Sequence, residues 1–291
     1  MESLKYATRT AEIGIVMLVL LGVSGRALAR PPAPADSPGD DSIFAQSAAQ
    51  ILEREFSEAN TSFILVDAKT GAVIASRWKD SGKPIPLGSL IKPFTALAYA
   101  RTHQFSYPAY ECANTSGCWL PRGHGHLGLV SAVANSCNAY FRMLAIKTKE
   151  SEIVSLAREF GLDDPPANLS AEDLIGLSRR WEISPLHMAG AFLELSRRRN
   201  EPGVNEILAG MVESGRQGTG VEVGRPLKHF GVLVKTGTTV CTHHPRASAD
   251  GFVTAMMPAD NPTLLLMVRV HNVTGAKASA TVGKMLNRIG D

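Results

Sequence analysis

Pro86-Leu87-Gly88-Ser89-Leu90-Ile91-Lys92-Pro93-Phe94 is the stretch from which the rest of the chain can be read. Serine and lysine stand at i and i+3, so on a helix they share a face. Pro93 is tolerated only in the first turn of a helix, since deeper inside it removes a backbone hydrogen bond and its ring clashes. The stretch therefore predicts a helix that opens at Ser89 and runs through Tyr99. A free hydroxyl is a weak nucleophile at neutral pH and needs a base beside it. Lys92 can be that base only when uncharged, and burial together with the positive end of the helix dipole favours the neutral amine. The backbone N–H groups at this helix start, that of Ser89 included, point at any oxyanion formed there.

Two further motifs follow in order. Ser136-Cys137-Asn138 falls at the break between helical patterns at 127–134 and 139–146. A hydroxyl at Ser136 can relay a proton to a leaving amine, and the Asn138 amide can hold a substrate carbonyl. Lys235-Thr236-Gly237-Thr238 lies inside a strand pattern that begins at Gly231. Lys235 and Thr238 offer a cation and a hydroxyl to a terminal carboxylate, and the Thr238 N–H is a second candidate oxyanion donor. Gly237 reads as the place where a substrate backbone comes close, a common reason for glycine in a strand.

Singly these motifs are weak, because the chain repeats two of them. Ser76-Arg77-Trp78-Lys79 has the same serine–lysine spacing, and Lys69-Thr70-Gly71 the same Lys-Thr-Gly order. Ser76 ends a strand pattern and has no helix start behind it. Lys69 to Gly71 form a hairpin turn, which explains the glycine.

Around these landmarks the pattern gives a helix at 42–56, strands at 63–66 and 72–75, a long helical stretch at 127–214, and strands at 231–240, 252–257 and 264–270. An amphipathic helix at 278–289 closes the chain. The fold class is mixed α/β (α+β): a five-stranded antiparallel sheet flanked by terminal helices, with an all-helical lobe inserted between its second and third strands. The 291 residues are 44% hydrophobic and 20% charged, enough to bury a real core, and a net charge of +3 with no basic stripe argues against nucleic acid as a partner.

Residues 1–29 read as a targeting segment. Lys5 and Arg9 precede the uncharged apolar run 13–23, and Ala27-Leu28-Ala29 has the small-x-small form of a cleavage site. The run is short of the about 20 residues that span a bilayer, so a cleaved signal peptide is expected, with a Pro- and Asp-rich linker at 30–41 and one catalytic domain at 42–291. Export to a periplasmic or other extracytoplasmic location would permit disulfides, and Cys112 and Cys118 are spaced to clip a small loop. Cys137 and Cys241 are left open. His124 with His126, and His243 with His244, could chelate a metal, but no carboxylate or cysteine partner is evident, so loop roles are expected and no metal or other cofactor. His243, His244 and Arg246 follow Lys-Thr-Gly and could line a cleft rim. Trp119, Trp181 and Met256-Met257 read as packing, and Arg197-Arg198-Arg199 as a solvated helix end.

The order S-x-x-K, S-x-N, K-T-G is the set carried by penicillin-binding proteins and serine β-lactamases. Pro86 to Phe94 resembles the nucleophile segment of penicillin-binding transpeptidases, where a proline commonly follows the lysine. Gly123-His124-Gly125 with AVANSCNAYF at 132–141 is similar to the approach to their second motif. Glu182 to Gly190 resembles the helix before their last strands, and Asp250 to Pro258 the strand after Lys-Thr-Gly. The likeness covers 63–272. It implies an acyl-enzyme at Ser89, proton handling by Lys92 and Ser136, and a carboxylate held by Lys235, Thr236 and Thr238. The implied activity is that of a D-alanyl-D-alanine transpeptidase or carboxypeptidase on peptidoglycan stem peptides, with β-lactams as covalent inhibitors; any cell-wall synthesis partners are left open. Gly251 departs from the family, which often has an aromatic there, so one wall is expected to be widened or reshaped. No glycosyltransferase region or pedestal domain is expected ahead of the catalytic unit.

Two rivals keep the same pocket. A serine β-lactamase of class A type needs a glutamate in an E-x-x-x-N setting, and the nearest match is Asp164-Pro165-Pro166-Ala167-Asn168. A class D type would use a carboxylated Lys92. A non-catalytic β-lactam sensor or binding module would keep the site and only signal.

Overall fold

The structure is a computed structural model that describes residues 40–241 and 248–290. The expected export segment, nearly all of the linker, and His243, His244 and Arg246 lie outside the described residues.

The described residues open with α1 (Asp40–Glu55) and the hairpin β1 (Thr61–Asp67) and β2 (Val73–Ser76). Asp67 Oδ1 accepts the Thr70 N–H at 2.7 Å across the turn, and Gly71 takes φ +79°, as the Asp67-to-Gly71 pattern predicts. A 3₁₀ turn (Gly88–Ile91) leads into α2 (Lys92–Thr102). A small hairpin, β3 (Tyr110–Cys112) and β4 (Gly125–Leu127), precedes α3 (Leu129–Ala134), α4 (Asn138–Ile146), α5 (Glu150–Glu159) and α6 (Ala171–Leu174). Then come α7 (Pro185–Arg197), α8 (Val204–Gln217), α9 (Val221–Gly224), β5 (Leu233–Thr239), β6 (Asp250–Met257), β7 (Leu264–His271) and α10 (Gly275–Gly290).

The main sheet has five antiparallel strands in the order β2-β1-β7-β6-β5, the architecture expected from the sequence. Its strands alternate between two buried environments. Phe63, Leu65, Val253, Ala255, Leu266 and Val268 pack with Ala48 and Leu52 of α1 and Val282, Met285 and Leu286 of α10. Ile64, Val66, Phe252, Met256, Leu265 and Met267 face the other way, into the core shared with α2, α4, α7 and α8. Burial on both faces is why β6 and β7 read as nearly unbroken apolar runs. Two-layer burial also makes Met256, Met257 and Trp181 packing residues, as expected.

Two expectations need correction. The inserted lobe is not all helical, because β3 and β4 form a second two-stranded sheet inside it. Those strands are three residues long and contain Cys, Gly and His, so they carry no alternating pattern to read. The three arginines at the end of α7 are not a solvated tip. Arg197 donates to the Ala68 and Lys69 carbonyls, Arg198 pairs with Glu194 and Glu159 over the Phe160 ring, and Arg199 donates to the Ala259 carbonyl. They fasten α7 to the β1–β2 turn and the β6–β7 connection. Among the described residues no helix is long and apolar enough to cross a membrane.

Candidate active site

Ser89 sits in the 3₁₀ turn rather than in the α-helix, which begins at Lys92 with Pro93 in its first turn. Pro93 lacks an N–H, so the regular helix starts beside it and the residues before it tighten into i→i+3 geometry. Residues three apart eclipse in such a turn, which keeps Ser89 and Lys92 on one side. The turn is seated directly on β5. A Cβ at Gly237 would lie 2.5 Å from the Leu87 carbonyl oxygen, and one at Gly88 would lie 2.5 Å from the Thr238 carbonyl oxygen. Gly237 is therefore needed for contact with the serine's own turn, a closer constraint than the substrate approach expected of it.

Ser136 joins α3 to α4 with φ +49°, a left-handed backbone that is unusual for serine and costs of order 1–3 kcal/mol. Backbone bonds from Ser136 N to Val133 O at 3.1 Å and from Cys137 N to Ala132 O at 3.0 Å hold the bend. The free carbonyls at the end of α3 are taken from outside: Thr219 N donates to Ala134 O at 3.0 Å, and Trp119 Nε1 donates to Asn135 O at 3.1 Å.

The bend delivers the Ser136 hydroxyl to a point between two fully buried amines. Lys235 Nζ lies 2.9 Å from Ser136 Oγ and Lys92 Nζ 3.4 Å from it. Lys92 also donates to the Ser136 carbonyl at 2.9 Å and to Asn138 Oδ1 at 2.5 Å, and Lys235 to the Thr236 carbonyl at 2.7 Å. Loss of hydration lowers Lys92 from 10.5 to about 7. Burial pushes Lys235 well down too, and the charge of Lys92 adds to the effect. The hydrogen-bond acceptors of Lys92 are thus on the second motif, which ties the first motif to it.

Above this buried cluster runs a groove of about 380 Å³. Ser89, Ser136, Asn138, Thr236, Gly237 and Thr238 line it, so all three sequence motifs meet there. Lys92 and Lys235 stand one layer beneath the wall. Gly275 N donates to Thr238 Oγ1 at 2.9 Å, which leaves the Thr238 O–H to point elsewhere. Thr219, Thr274, Leu177, Ala276 and Trp119 complete the lining, and none was singled out as functional from sequence. Thr219 Oγ1 meets Thr236 Oγ1 at 2.7 Å. Trp119, expected to be packing, is 51% exposed at the groove wall.

Gly251 does not open a wall. The Thr274–Gly275 turn occupies the space, with the Thr274 carbonyl 2.6 Å from where a Cβ would stand, and Thr274 itself lines the groove. Asp164 is exposed and faces Arg158 at 3.7 Å, away from the groove. Ser76 and Lys79 are exposed, as are Lys69 to Gly71, and none of them lines the groove. The expected Cys112–Cys118 bridge is not formed, since both thiols are free. His126 is exposed beside Glu111, whereas His124 has the cysteine partners that sequence reading did not find: Cys112, Cys118 and Cys137 all gather round it. Folding of β3 against β4 brings them together, and no local spacing announces it.

Residues 61–290 match the family model described as the penicillin binding protein transpeptidase domain. The chain belongs to that family. No curated protein sequence matches it. Among solved structures it is similar to Pseudomonas aeruginosa PBP2 in complex with WCK 5153, with a TM-score of 0.67 at 18% identity over 83% of this chain and 75% of that one. It is likewise similar to the transpeptidase domain of Burkholderia pseudomallei penicillin-binding protein 3, with a TM-score of 0.65 at 17% identity over 86% and 94%. The transpeptidase domain of the Legionella pneumophila FtsI4 D,D-transpeptidase gives 0.63 at 18% identity over 86% and 96%. At these identities the likeness is one of fold.

Proposed function

We propose that this chain is a serine D,D-transpeptidase or D,D-carboxypeptidase that acts on D-Ala-D-Ala stem peptides of peptidoglycan through an acyl-enzyme at Ser89. The observation that carries the reading is the Ser136 hydroxyl held between two buried amines directly under the groove that Ser89 lines. A neutral Lys92 has two N–H bonds, which the Ser136 carbonyl and Asn138 Oδ1 accept, and its lone pair is left for a hydroxyl proton. Lys92 takes the Ser89 proton as Ser89 Oγ bonds to the penultimate carbonyl carbon. The backbone N–H groups of Ser89 and Thr238 stabilise the oxyanion. Ser136 then passes a proton to the departing D-alanine nitrogen, and an amine or water later accepts the acyl group.

The substrate carboxylate is met by the hydroxyls of Thr236 and Thr238, with Lys235 beneath them. An anion there favours the charged form of Lys235. β-Lactams mimic the dipeptide and acylate the same serine. The targeting pattern at 1–29 supports work outside the cytoplasmic membrane, where such stem peptides are cross-linked.

The β-lactamase readings have less support. No carboxylate among the described residues lines the groove to activate a deacylating water, and Asp164 lies elsewhere. Lys92 Nζ is surrounded by acceptors, which suit an amine and repel the oxygens of a carbamate. The test is intact-mass analysis after penicillin treatment, followed over time. A persistent one-to-one adduct that is missing in Ser89→Ala, together with D-alanine release from a stem pentapeptide, is expected. An adduct that survives in Ser89→Ala ends the assignment; rapid return to the unmodified mass with multiple turnovers gives it to the β-lactamase.

A further inference from the structure

Cys112 ends β3, and Gly125 is its partner across the hairpin, so His124 stands next to it. Cys118 lies in the loop between the two strands, and Cys137 is the residue just before α4, inside Ser136-Cys137-Asn138. The separations are Cys112 Sγ to His124 Nδ1 3.6 Å, Cys118 Sγ to His124 Nδ1 3.4 Å, Cys118 Sγ to Cys137 Sγ 3.7 Å and Cys137 Sγ to Cys112 Sγ 3.6 Å. All four donor atoms lie within 4.8 Å of one another.

A disulfide needs its sulfurs at about 2.0 Å, so these are not strained bridges. Four ligands on one zinc ion, with Zn–S about 2.3 Å and Zn–N about 2.0 Å, stand at the corners of a tetrahedron whose edges are about 3.8 Å for S···S and about 3.5 Å for S···N. The four separations given above match such edges, and the remaining two, Cys112 to Cys118 and Cys137 to His124, are within 4.8 Å. Three thiolates and one imidazole are also a soft donor set that selects zinc over magnesium or calcium.

We propose that Cys112, Cys118, His124 and Cys137 bind one zinc ion as a closed structural site, and that the ion positions the Ser136–Asn138 segment and Trp119 along the groove. Four protein ligands leave no open coordination position, so the ion takes no part in the acyl transfer itself. It acts through what is tied to it. Cys137 lies between the hydroxyl and the amide that Lys92 contacts, and the left-handed Ser136 persists only if its surroundings over-determine it. Trp119 follows Cys118 directly, meets the His124 ring edge-on at 5.3 Å, and is pinned to Asn135. His124 Nε2 is buried without a hydrogen-bond partner among the described residues, so the polar contacts of the ring are all at Nδ1, the nitrogen that faces the thiols.

The experiment begins with metal content of the full chain, purified without chelator or added zinc. One zinc per chain is expected, and it is expected to be lost in Cys112→Ser and in His124→Ala. Because such variants can fail to fold, cobalt(II) exchange into the wild-type chain is the second measurement. It is expected to give the visible bands of tetrahedral thiolate cobalt. Stripping with a chelator is expected to lower the melting temperature and slow penicillin acylation, and zinc alone is expected to restore both. A folded wild-type chain that neither carries zinc nor takes it up overturns the proposal, as does a Cys112–Cys118 disulfide in a non-reducing peptide map. Zinc that binds but whose removal leaves acylation unchanged overturns the positioning role. Metal content and cobalt spectra read without any enzyme assay, so this test and that of the proposed activity fail separately.

Discussion

Ser76-Arg77-Trp78-Lys79 and Ser89-Leu90-Ile91-Lys92 share the same serine–lysine spacing and have opposite surroundings. Ser76 is exposed at the end of β2, where its hydroxyl donates to the Phe63 carbonyl and accepts the Trp78 N–H, and Lys79 is in solvent. Ser89 is in a buried turn, and Lys92 has no exposed surface at all. The two Lys-Thr-Gly segments differ likewise. Gly71 serves a surface turn, with Arg197 at 3.9 Å as its nearest neighbour, whereas Gly237 has the backbone of the Ser89 turn against it. Spacing puts the groups within reach; water exclusion, in a pocket closed by a second segment from elsewhere in the chain, keeps the amine uncharged and so free to take a proton.

The largest effect that could break this comparison is at the lysines. Lys92→Met should lower the penicillin acylation rate by about 10²–10⁴-fold, the usual contribution of a positioned base, while Lys79→Met leaves it unchanged. Equal losses in both variants would dissolve the distinction. Next come the glycines. Gly237→Ala has to push the Leu87 backbone away, and overpacking of this kind costs about 1–3 kcal/mol, so both the unfolding midpoint and the acylation rate should fall. Gly71→Ala should lose about 1 kcal/mol from its positive φ and acylate normally. The effect of pH is graded, and small near neutrality. With Lys92 near 7 the neutral base is depleted as pH falls, so acylation should drop about tenfold per pH unit below about 7 and level off above it. A rate flat from pH 5 to 9 would remove Lys92 from the base role.

Much of this was legible from residues alone, for identifiable reasons. A sheet buried on both faces writes itself as apolar runs, so Leu264–His271 and Asp250–Met257 could be found without neighbours. The three motifs are local, and their order along the chain sets them apart from their copies. What stayed hidden depends on tertiary closure. Thr219, Leu177 and Thr274 are ordinary residues until α9, the end of α6 and the turn before α10 bring them to the groove. The second constraint on Gly237, the backbone of Leu87, was hidden because that residue is remote in sequence. Three cysteines and a histidine at irregular spacing form a tetrahedron only once β3 and β4 have paired and α4 has docked.

The sheet has two edges, and they are finished differently. β2 is four residues long and pairs with β1 across an irregularity at Leu65/Val66, the kind of short, bent border that discourages further strands. β5 is longer, and the border on its far side from β6 carries Thr236, Gly237 and Thr238 beside the groove. An unpaired strand border is a template for one more strand. An extended peptide entering here would be read first through its main-chain amides and only then through its side chains, so tolerance of varied side chains would be built into the architecture.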